Sequence, residues 1–144
     1  MGKQKEVDDR FKKFGTVSFT SITKVNDFIG HLEKGKIMGT KCKGCGTFFF
    51  PPRADCCECL SSDMQWTEVS GNGKLVTYSK LEFAPVGFEG DVPYAIALLD
   101  YGDFKIFGRI AKDIPEEDIS VGMEMKAEVN EMPGGQLNYV FQKA

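Results

Sequence analysis

The chain carries the stretch Cys42-Lys-Gly-Cys45 and, ten residues later, Cys56-Cys57-Glu-Cys59. Two Cys-x-x-Cys pairs at this separation let two tight turns present four thiolates to one ion, and Zn²⁺ is the usual occupant of such a tetrahedral site. The pattern predicts a small ribbon organised by a metal, with Cys42, Cys45, Cys56 and Cys59 as ligands. A closed set of four thiolates leaves no position for water or substrate, so the predicted role is structural.

Other interpretations of the cysteines compete with this one. Iron in a rubredoxin-type centre uses the same four soft ligands, and free or redox-active thiols need no metal. Cys57 could replace Cys56, although only Cys56 keeps the two-residue gap to Cys59. All five cysteines lie between positions 42 and 59, whereas a disulfide framework would spread them to join distant segments. This clustering favours a metal, and we predict zinc.

The residues that follow the two pairs differ. Gly46 comes after the first pair, and glycine readily takes up the conformation that turns amide N–H groups towards sulfur because it has no Cβ. Leu60 stands at the matching place after the second pair. The second turn is therefore expected to be slightly strained.

The segment before the cysteines has the period of a helix. Over residues 21–35 the apolar side chains recur at offsets of three, four and seven, which places them on one helical face: Ile22, Val25, Phe28, Ile29 and Leu32. Ser21 or Thr20 can cap its start, and Gly35 can end it. Residues 1–16 alternate charges with few apolar anchors, so they are interpreted as an arm or a short docking helix.

The segment after the cysteines has the pattern of short strands. Five runs are rich in β-branched and aromatic residues or alternate apolar with charged ones, and turn-forming residues bound them: 73–83, 94–101, 104–110, 123–129 and 137–141. Proline and several acids at residues 113–118 predict one short helix between the third and fourth runs. Five strands with one short helical insertion predict an oligonucleotide/oligosaccharide-binding (OB) barrel.

These patterns predict a mainly β protein in three parts. Residues 1–35 form the N-terminal arm and helix, residues 36–62 the zinc ribbon, and residues 63–144 a five-stranded OB-fold domain. A length of 144 residues suits one ordinary core with a small appended module, since single domains usually run to ~100–200 residues.

Charge and hydropathy limit the partners and the location expected for this protein. The net charge is −3, but residues 1–60 hold 11 Lys and Arg against 7 Asp and Glu, while residues 61–144 hold 7 against 14. The two segments are thus expected to face different partners. No apolar run approaches the ~20 residues needed to cross a bilayer, and residues 1–9 lack the apolar stretch of a signal peptide. We therefore expect no membrane association and a cytoplasmic location.

Three stretches of the chain resemble a known family. They are residues 26–37 before the cysteines, 42–53 across the first pair, and 66–79 after the second, and the string Phe-Pro-Pro-Arg between the pairs is the specific part. The chain resembles, over residues 25–142, acyl-CoA-associated proteins with an N-terminal helix, a rubredoxin-like zinc ribbon and a C-terminal OB-fold. It departs from them at Cys57, where proline is common, and at Leu60, where glycine is.

The resemblance implies a working context. Such proteins associate with thiolases, thiolase-like condensing enzymes or 3-hydroxy-3-methylglutaryl-CoA synthase, and others with hydratase or aldolase subunits. The resemblance therefore implies an accessory subunit of a thiolase-type acyl-CoA acyltransferase complex, a hetero-oligomer in which the partner supplies the nucleophile. It implies assembly of the complex, with a coenzyme A thioester as a possible ligand and no catalysis by this chain alone.

The ribbon is expected to be basic. No carboxylate lies between Glu33 and Asp55, and this stretch contains Lys41, Lys43 and Arg53. These cations suit the phosphates of coenzyme A or a partner surface, and arginine can make bidentate contacts. Alternatively, they solvate the ribbon and offset the two negative charges of a zinc tetrathiolate.

Two other functional classes are less well supported by the sequence. His31 is the single histidine and lies in the predicted helix, so a nucleophile–histidine site would depend on it alone. Zinc ribbons and OB-folds also bind single-stranded nucleic acid, which is the alternative function, but the acidic second segment would repel phosphates.

Two apolar features remain. Residues 84–93 form a loop richer in glycine and proline than a hairpin needs, and Phe88 at its apex is predicted either to meet a partner or acyl chain or to pack on the barrel. The triplet at residues 48–50 is predicted to pack the ribbon against the barrel, with a partner surface as the alternative.

Overall fold

Strands and turns make up most of the structure, a computed structural model that describes residues 8–16 and 23–144. The chain has one α-helix, α1, eight strands and two single 3-10 turns within these residues, as follows: the first 3-10 turn Arg10–Lys13, α1 Asp27–Glu33, β1 Met38–Cys42, β2 Phe48–Phe49, β3 Met64–Glu68, β4 Gly73–Leu81, β5 Tyr94–Asp100, β6 Lys105–Ile110, the second 3-10 turn Glu116–Asp118, β7 Glu124–Glu131 and β8 Leu137–Lys143. The mainly β fold class is confirmed.

The strands form two sheets. In the first, β1 lies between β2 and β3, antiparallel to both. The second is a closed barrel in the order β4-β5-β6-β8-β7, in which β7 returns to pair with β4 and the β6–β8 pair is parallel. The predicted five-stranded barrel is therefore confirmed. None of the helices in residues 8–16 and 23–144 is long and apolar enough to cross a membrane.

The helix before the cysteines is shorter than its apolar pattern. It spans Asp27–Glu33, and a turn occupies the three residues before it. Phe28, Ile29 and Leu32 are buried as predicted, and Gly35 follows the helix with φ +75°. The predicted caps Thr20 and Ser21 lie outside the described residues.

One 3-10 turn lies in the described part of the N-terminal segment, residues 8–16, and another in the predicted helical insertion at residues 113–118. In the first, Arg10 pairs with Asp8 at 2.7 Å and with Asp27 of α1 at 3.1 Å. Lys13 pairs with Glu33 at the other end of α1. The N-terminal turn is thus tied along the length of the helix. The second turn, Glu116–Asp118, is the helical insertion between β6 and β7.

The barrel encloses the larger core. Because alternate side chains of a strand face one side, each strand sends its apolar set inward: Leu75, Ala97, Leu99, Ile106, Ile110, Met125 and Phe141 are buried, with Ile119 from the β6–β7 connection. Gly108 makes room for the largest of them, since a Cβ there would lie 2.8 Å from the rings of Phe141 and Tyr139.

Phenylalanines join the ribbon sheet to the barrel. Phe48 of β2 packs against Phe104 in the β5–β6 turn of the barrel, with ring centroids 4.3 Å apart. Gly39 of β1 allows this position, because a Cβ there would collide with the Phe48 ring and lie 2.5 Å from the Phe49 carbonyl oxygen. Phe49 instead faces the guanidinium of Arg53, 5.4 Å from its centroid.

A second set of rings crosses the same junction, and we call it the aromatic column: Phe28, Phe50, Tyr139 and Phe141. Successive centroids lie 6.2, 5.2 and 6.3 Å apart, so α1, the ribbon and the barrel core are in continuous aromatic contact. Phe48 and Phe50 of the triplet at residues 48–50 therefore pack the ribbon against the barrel as predicted, whereas Phe49 faces Arg53.

The loop between β4 and β5, residues 82–93, is held by one charged cluster. Arg109 of β6 donates to the Asp91 carboxylate at 2.9 Å, and its guanidinium lies 4.1 Å from the Tyr94 centroid and 5.6 Å from that of Phe88. The Thr16 hydroxyl donates to the same carboxylate. Burial alone would raise the pKa of Asp91, but Arg109 and Thr16 outweigh it and lower that pKa below its ordinary value.

We expect Asp91→Asn to destabilise the protein at neutral pH by about 1–2 kcal/mol, since it removes a charge-assisted hydrogen bond on a partly buried pair. A lowered folded-state pKa gives stability that is present above the ordinary carboxyl pKa and is lost as the pH falls through the lowered value. The difference between wild type and variant in urea unfolding should therefore be large at pH 7 and shrink below about pH 4.

If acid releases metal from wild type and variant alike, the resulting loss of stability is the same in both and cancels in the difference between them. Asp103→Asn, in the exposed β5–β6 turn, is the matched control and should change stability little at either pH. An equal destabilisation by Asp91→Asn at pH 7 and at acid pH would contradict the ion-pair origin.

Candidate metal centre

The four predicted ligands meet at one point of the ribbon. The sulfurs of Cys42, Cys45, Cys56 and Cys59 all lie within 4.8 Å of one another. Cys42 Sγ is 3.5 Å from Cys59 Sγ, and Cys45 Sγ is 3.6 Å from Cys56 Sγ. Four sulfurs bound to zinc at ~2.3 Å in a tetrahedron would be about 3.8 Å apart. The donor set and its spacing therefore fit a structural zinc ion.

The first cysteine pair is held by a tight turn. The backbone N–H of Cys42 donates to the carbonyl of Thr47, and the N–H of Gly46 donates back to the carbonyl of Cys42, each at 2.9 Å. Gly46 has φ +79°, as the sequence predicts. The turn presents Cys42 from a buried position and Cys45 from an exposed one.

The second pair repeats this turn. The N–H of Cys56 donates to the carbonyl of Ser61 at 2.8 Å, and the N–H of Leu60 donates to the carbonyl of Cys56 at 3.1 Å. Cys56 is buried, like Cys42, whereas Cys57 is exposed. The equivalence of the two turns places the Cys56 sulfur, rather than that of Cys57, in the four-sulfur cluster.

Leu60 stands in the left-handed region with φ +62°, and it is the single non-glycine residue with positive φ in the described part of the chain. This conformation costs a residue with a Cβ roughly 1–2 kcal/mol. Its side chain is 83% exposed, so packing does not repay the cost. The predicted strain in the second turn is present.

The surroundings of the thiols shift their pKa values in different directions. The Thr47 hydroxyl, 3.2 Å from Cys45 Sγ, and the Thr47 backbone N–H lower the pKa of Cys45 to about 6. The backbone N–H of Cys45 lowers the pKa of Cys42. For Cys59, the Ser61 backbone N–H acts in the lowering direction, but Cys42 and burial outweigh it and raise the pKa to about 12. A cation that binds all four sulfurs must therefore displace protons.

Thr47 and Ser61 are site residues that the sequence argument did not single out. Each stands two positions after the second cysteine of its pair and serves the cluster through its backbone. Thr47 also contributes its hydroxyl. The signal that could have found them is this equivalent spacing, because small hydroxyl residues fit the end of a tight turn.

The structure does not gather the three predicted basic contacts on one face. Lys41 is exposed, and the preceding residue, Thr40, is buried on the opposite face of β1. The Thr40 side chain accepts a hydrogen bond from the Arg53 backbone N–H and donates to its carbonyl, so Arg53 lies on the Thr40 side, in a groove with Trp66. Lys43 is 3.5 Å from Asp63.

His31 lies on α1, where the sequence places it. Its ring is half-buried, with its centroid 5.1 Å from that of Trp66 in β3. The described contacts thus give His31 a packing partner rather than a nucleophile. Cys57 has the adjacent Glu58 carboxylate near its sulfur.

The comparisons with known proteins agree with this architecture. Residues 31–65 match the family model described as ChsH2, rubredoxin-like zinc ribbon domain, and residues 66–130 match that of the ChsH2, C-terminal OB-fold domain. A DUF35 domain-containing scaffold protein of Methanocaldococcus jannaschii is 37% identical over 97 residues, which cover 66% of this chain and 68% of that protein. The chain belongs to the DUF35 family.

A second DUF35 domain-containing scaffold protein, from Pyrococcus furiosus, is 33% identical over 94 residues. The matched region covers 65% of this chain and 68% of that protein. The resemblance, the zinc ribbon and the OB-fold that the sequence predicts are thus confirmed.

Two solved structures share the DUF35 fold. One is called Ltp2-ChsH2(DUF35) aldolase, with a TM-score of 0.69 and 23% identity over 87% of this chain and 98% of that one. The other is a DUF35 family protein of unknown function from Sulfolobus solfataricus, with a TM-score of 0.52 and 21% identity over 82% and 81%. The predicted boundaries at residues 35 and 62 stay predictions; β3, Met64–Glu68, pairs with β1 of the ribbon.

Proposed function

We propose that this DUF35 protein is an accessory, scaffold-type subunit of a thiolase-type acyl-CoA acyltransferase complex. A larger thiolase-like or condensing-enzyme subunit supplies the nucleophile. The observation that carries the proposal is the cluster of four cysteine sulfurs, which lie within 4.8 Å of one another; an ion bound by all four would have no place for substrate. The chain then contributes surfaces rather than chemistry.

The family supports the scaffold role. The curated relatives from Methanocaldococcus jannaschii and Pyrococcus furiosus are described as scaffold proteins, and the solved structure with the same fold pairs the name ChsH2(DUF35) with Ltp2 and an aldolase. We infer a thiolase-type partner rather than an aldolase. This inference draws on the acyl-CoA-associated family that the ribbon motif resembles.

Of the three predicted basic residues, we propose Arg53, rather than Lys41 or Lys43, as the one that contacts coenzyme A. The Arg53 side chain is exposed beside Trp66 and Lys24 in one groove, and it forms no ion pair with the residues that the structure describes. Lys43 already has Asp63 as a partner. A guanidinium next to an indole and a second cation suits the phosphates of an acyl-CoA held mainly by the partner subunit.

Purification from the source cells tests the function. A tagged chain is expected to bring down a thiolase-type subunit in a fixed ratio. The purified complex should cleave acetoacetyl-CoA or a related 3-ketoacyl-CoA with free coenzyme A, whereas the chain alone should not. Thiolysis by the isolated chain, or the absence of any thiolase-type subunit from the purified complex, would refute the proposal.

A further inference from the structure

The β4–β5 loop exposes two large apolar side chains. Phe83 and Val86 are each 91% exposed, the highest fractions among the large apolar residues described. Removing such side chains from water is favourable, and the fold of this chain does not bury them. Sequence reasoning singled out Phe88 in this loop, but Phe88 is half-buried and turned towards Arg109.

The loop is ordered in advance of any contact. Asp91 is fixed by Arg109 and Thr16, and the backbone N–H of Phe88 donates to the carbonyl of Pro85 at 3.0 Å, closing a turn around Val86. The Lys112 ammonium donates to the Asp91 carbonyl. A pre-organised loop loses little conformational entropy on binding, so exposed apolar side chains on it make effective anchors.

The loop continues into an apolar sheet face. Leu81 and Ile96 are in β4 and β5, and with Phe107 of β6 they line one groove of about 440 Å³ beside the loop. Phe107 is 59% exposed and stands opposite Leu98 in the register of the barrel. Phe88 of the loop lines the same groove, so the loop and this apolar face are neighbours, and the centres of protein interfaces are apolar.

The rim of this surface has a small excess of carboxylates, with Glu82, Glu89 and Glu116 against Lys80 and Lys112. Lys80 is shared by Glu82 at 3.4 Å and Glu116 at 2.7 Å, so one cation faces two carboxylates. Glu89 forms no ion pair with a residue of the described ranges. Because oppositely charged rims steer association, the surface is matched by a partner whose apolar pocket is flanked by Lys and Arg. A polyanion such as nucleic acid does not match it.

We propose that the β4–β5 loop is the anchor by which this chain binds its catalytic subunit, with Phe83 and Val86 inserted into an apolar pocket edged by basic side chains. This inference rests on the proposed function, since the occupant is the thiolase-type subunit of that complex. The zinc ribbon lies outside this anchor and remains available for a second contact.

The test measures binding between the wild-type or variant chain and the thiolase-type subunit that co-purifies with the tagged protein, after the two have been separated. The double variant Phe83→Ala/Val86→Ala should raise the Kd by about 100-fold or more, as expected for two central anchors. Val121→Ala is the matched control: Val121 is 65% exposed in the turn before β7, and its variant should keep the Kd within about threefold. Both variants should melt like wild type, because the altered side chains are exposed.

A second variant tests whether the charge of the rim affects the rate of association. Glu89→Lys should slow association at low ionic strength, and added salt should reduce the difference from wild type. An unchanged Kd for the double variant overturns the anchor while leaving the proposed function intact. A wild-type chain that binds no thiolase-type subunit overturns both. Self-association of the wild type that the double variant abolishes would assign the surface to a second copy and overturn the proposal.

Discussion

A Cys42→Ala variant is expected to purify without zinc and with an unfolded ribbon. In a structural site of four cysteines the free energy of zinc binding, about 10–16 kcal/mol in isolated modules, is also the free energy that folds the module. Cys42 is buried at the end of β1, where its backbone closes the first turn. Metal analysis should fall from one zinc per chain to none, and amide exchange over residues 38–68 should lose its protection.

Cys57→Ala is the control that this chain itself provides. Cys57 is exposed and adjacent to Cys56 but outside the four-sulfur cluster, so its loss should leave one zinc per chain and a protected ribbon. Loss of the metal from Cys57→Ala, or its full retention in Cys42→Ala, would contradict the ligand assignment. The wild-type protein should be colourless, whereas a red protein would indicate iron.

The largest effect within the barrel is expected for Phe141→Ala, at about 3–5 kcal/mol of lost stability. Phe141 is fully buried and ends the aromatic column, so its removal leaves a cavity that the closed barrel cannot fill by collapse. Urea unfolding at neutral pH measures the change. Phe107→Ala removes the same ring from the exposed face of β6 and should cost less than about 1 kcal/mol.

Equal stability losses for the two phenylalanine variants would refute this placement of the core. The Phe107→Ala variant also separates stability from binding. If Phe107 belongs to the anchor surface, its loss should weaken the complex while the melting temperature stays near that of wild type.

The features that the sequence predicts well depend on local chemistry. The two Cys-x-x-Cys pairs specify the metal centre because each turn is closed by residues within six positions of its first cysteine. The alternation of apolar residues predicts the barrel strands, because alternate side chains of a strand face the core and the strand's own sequence shows which ones are apolar. The strain at Leu60 is also local, because positive φ is required there by the turn.

The features that the sequence does not predict depend on pairings between distant residues. The opposite placement of Lys41 and Arg53 follows from the contact of Thr40 with the Arg53 backbone. The exposure of Phe83 and Val86, with Phe88 turned inward, follows from the pair of Asp91 with Arg109, 18 positions apart. Neither pairing leaves a periodic signal in the sequence.

The aromatic column has a consequence for assembly. Four rings in contact, from α1 through the ribbon to the barrel core, resist bending because closely packed interiors are hardly compressible. The position of the ribbon relative to the barrel is therefore set by packed side chains rather than by a linker. A partner that contacted both the ribbon and the barrel would therefore meet two surfaces whose relative position is fixed before it binds.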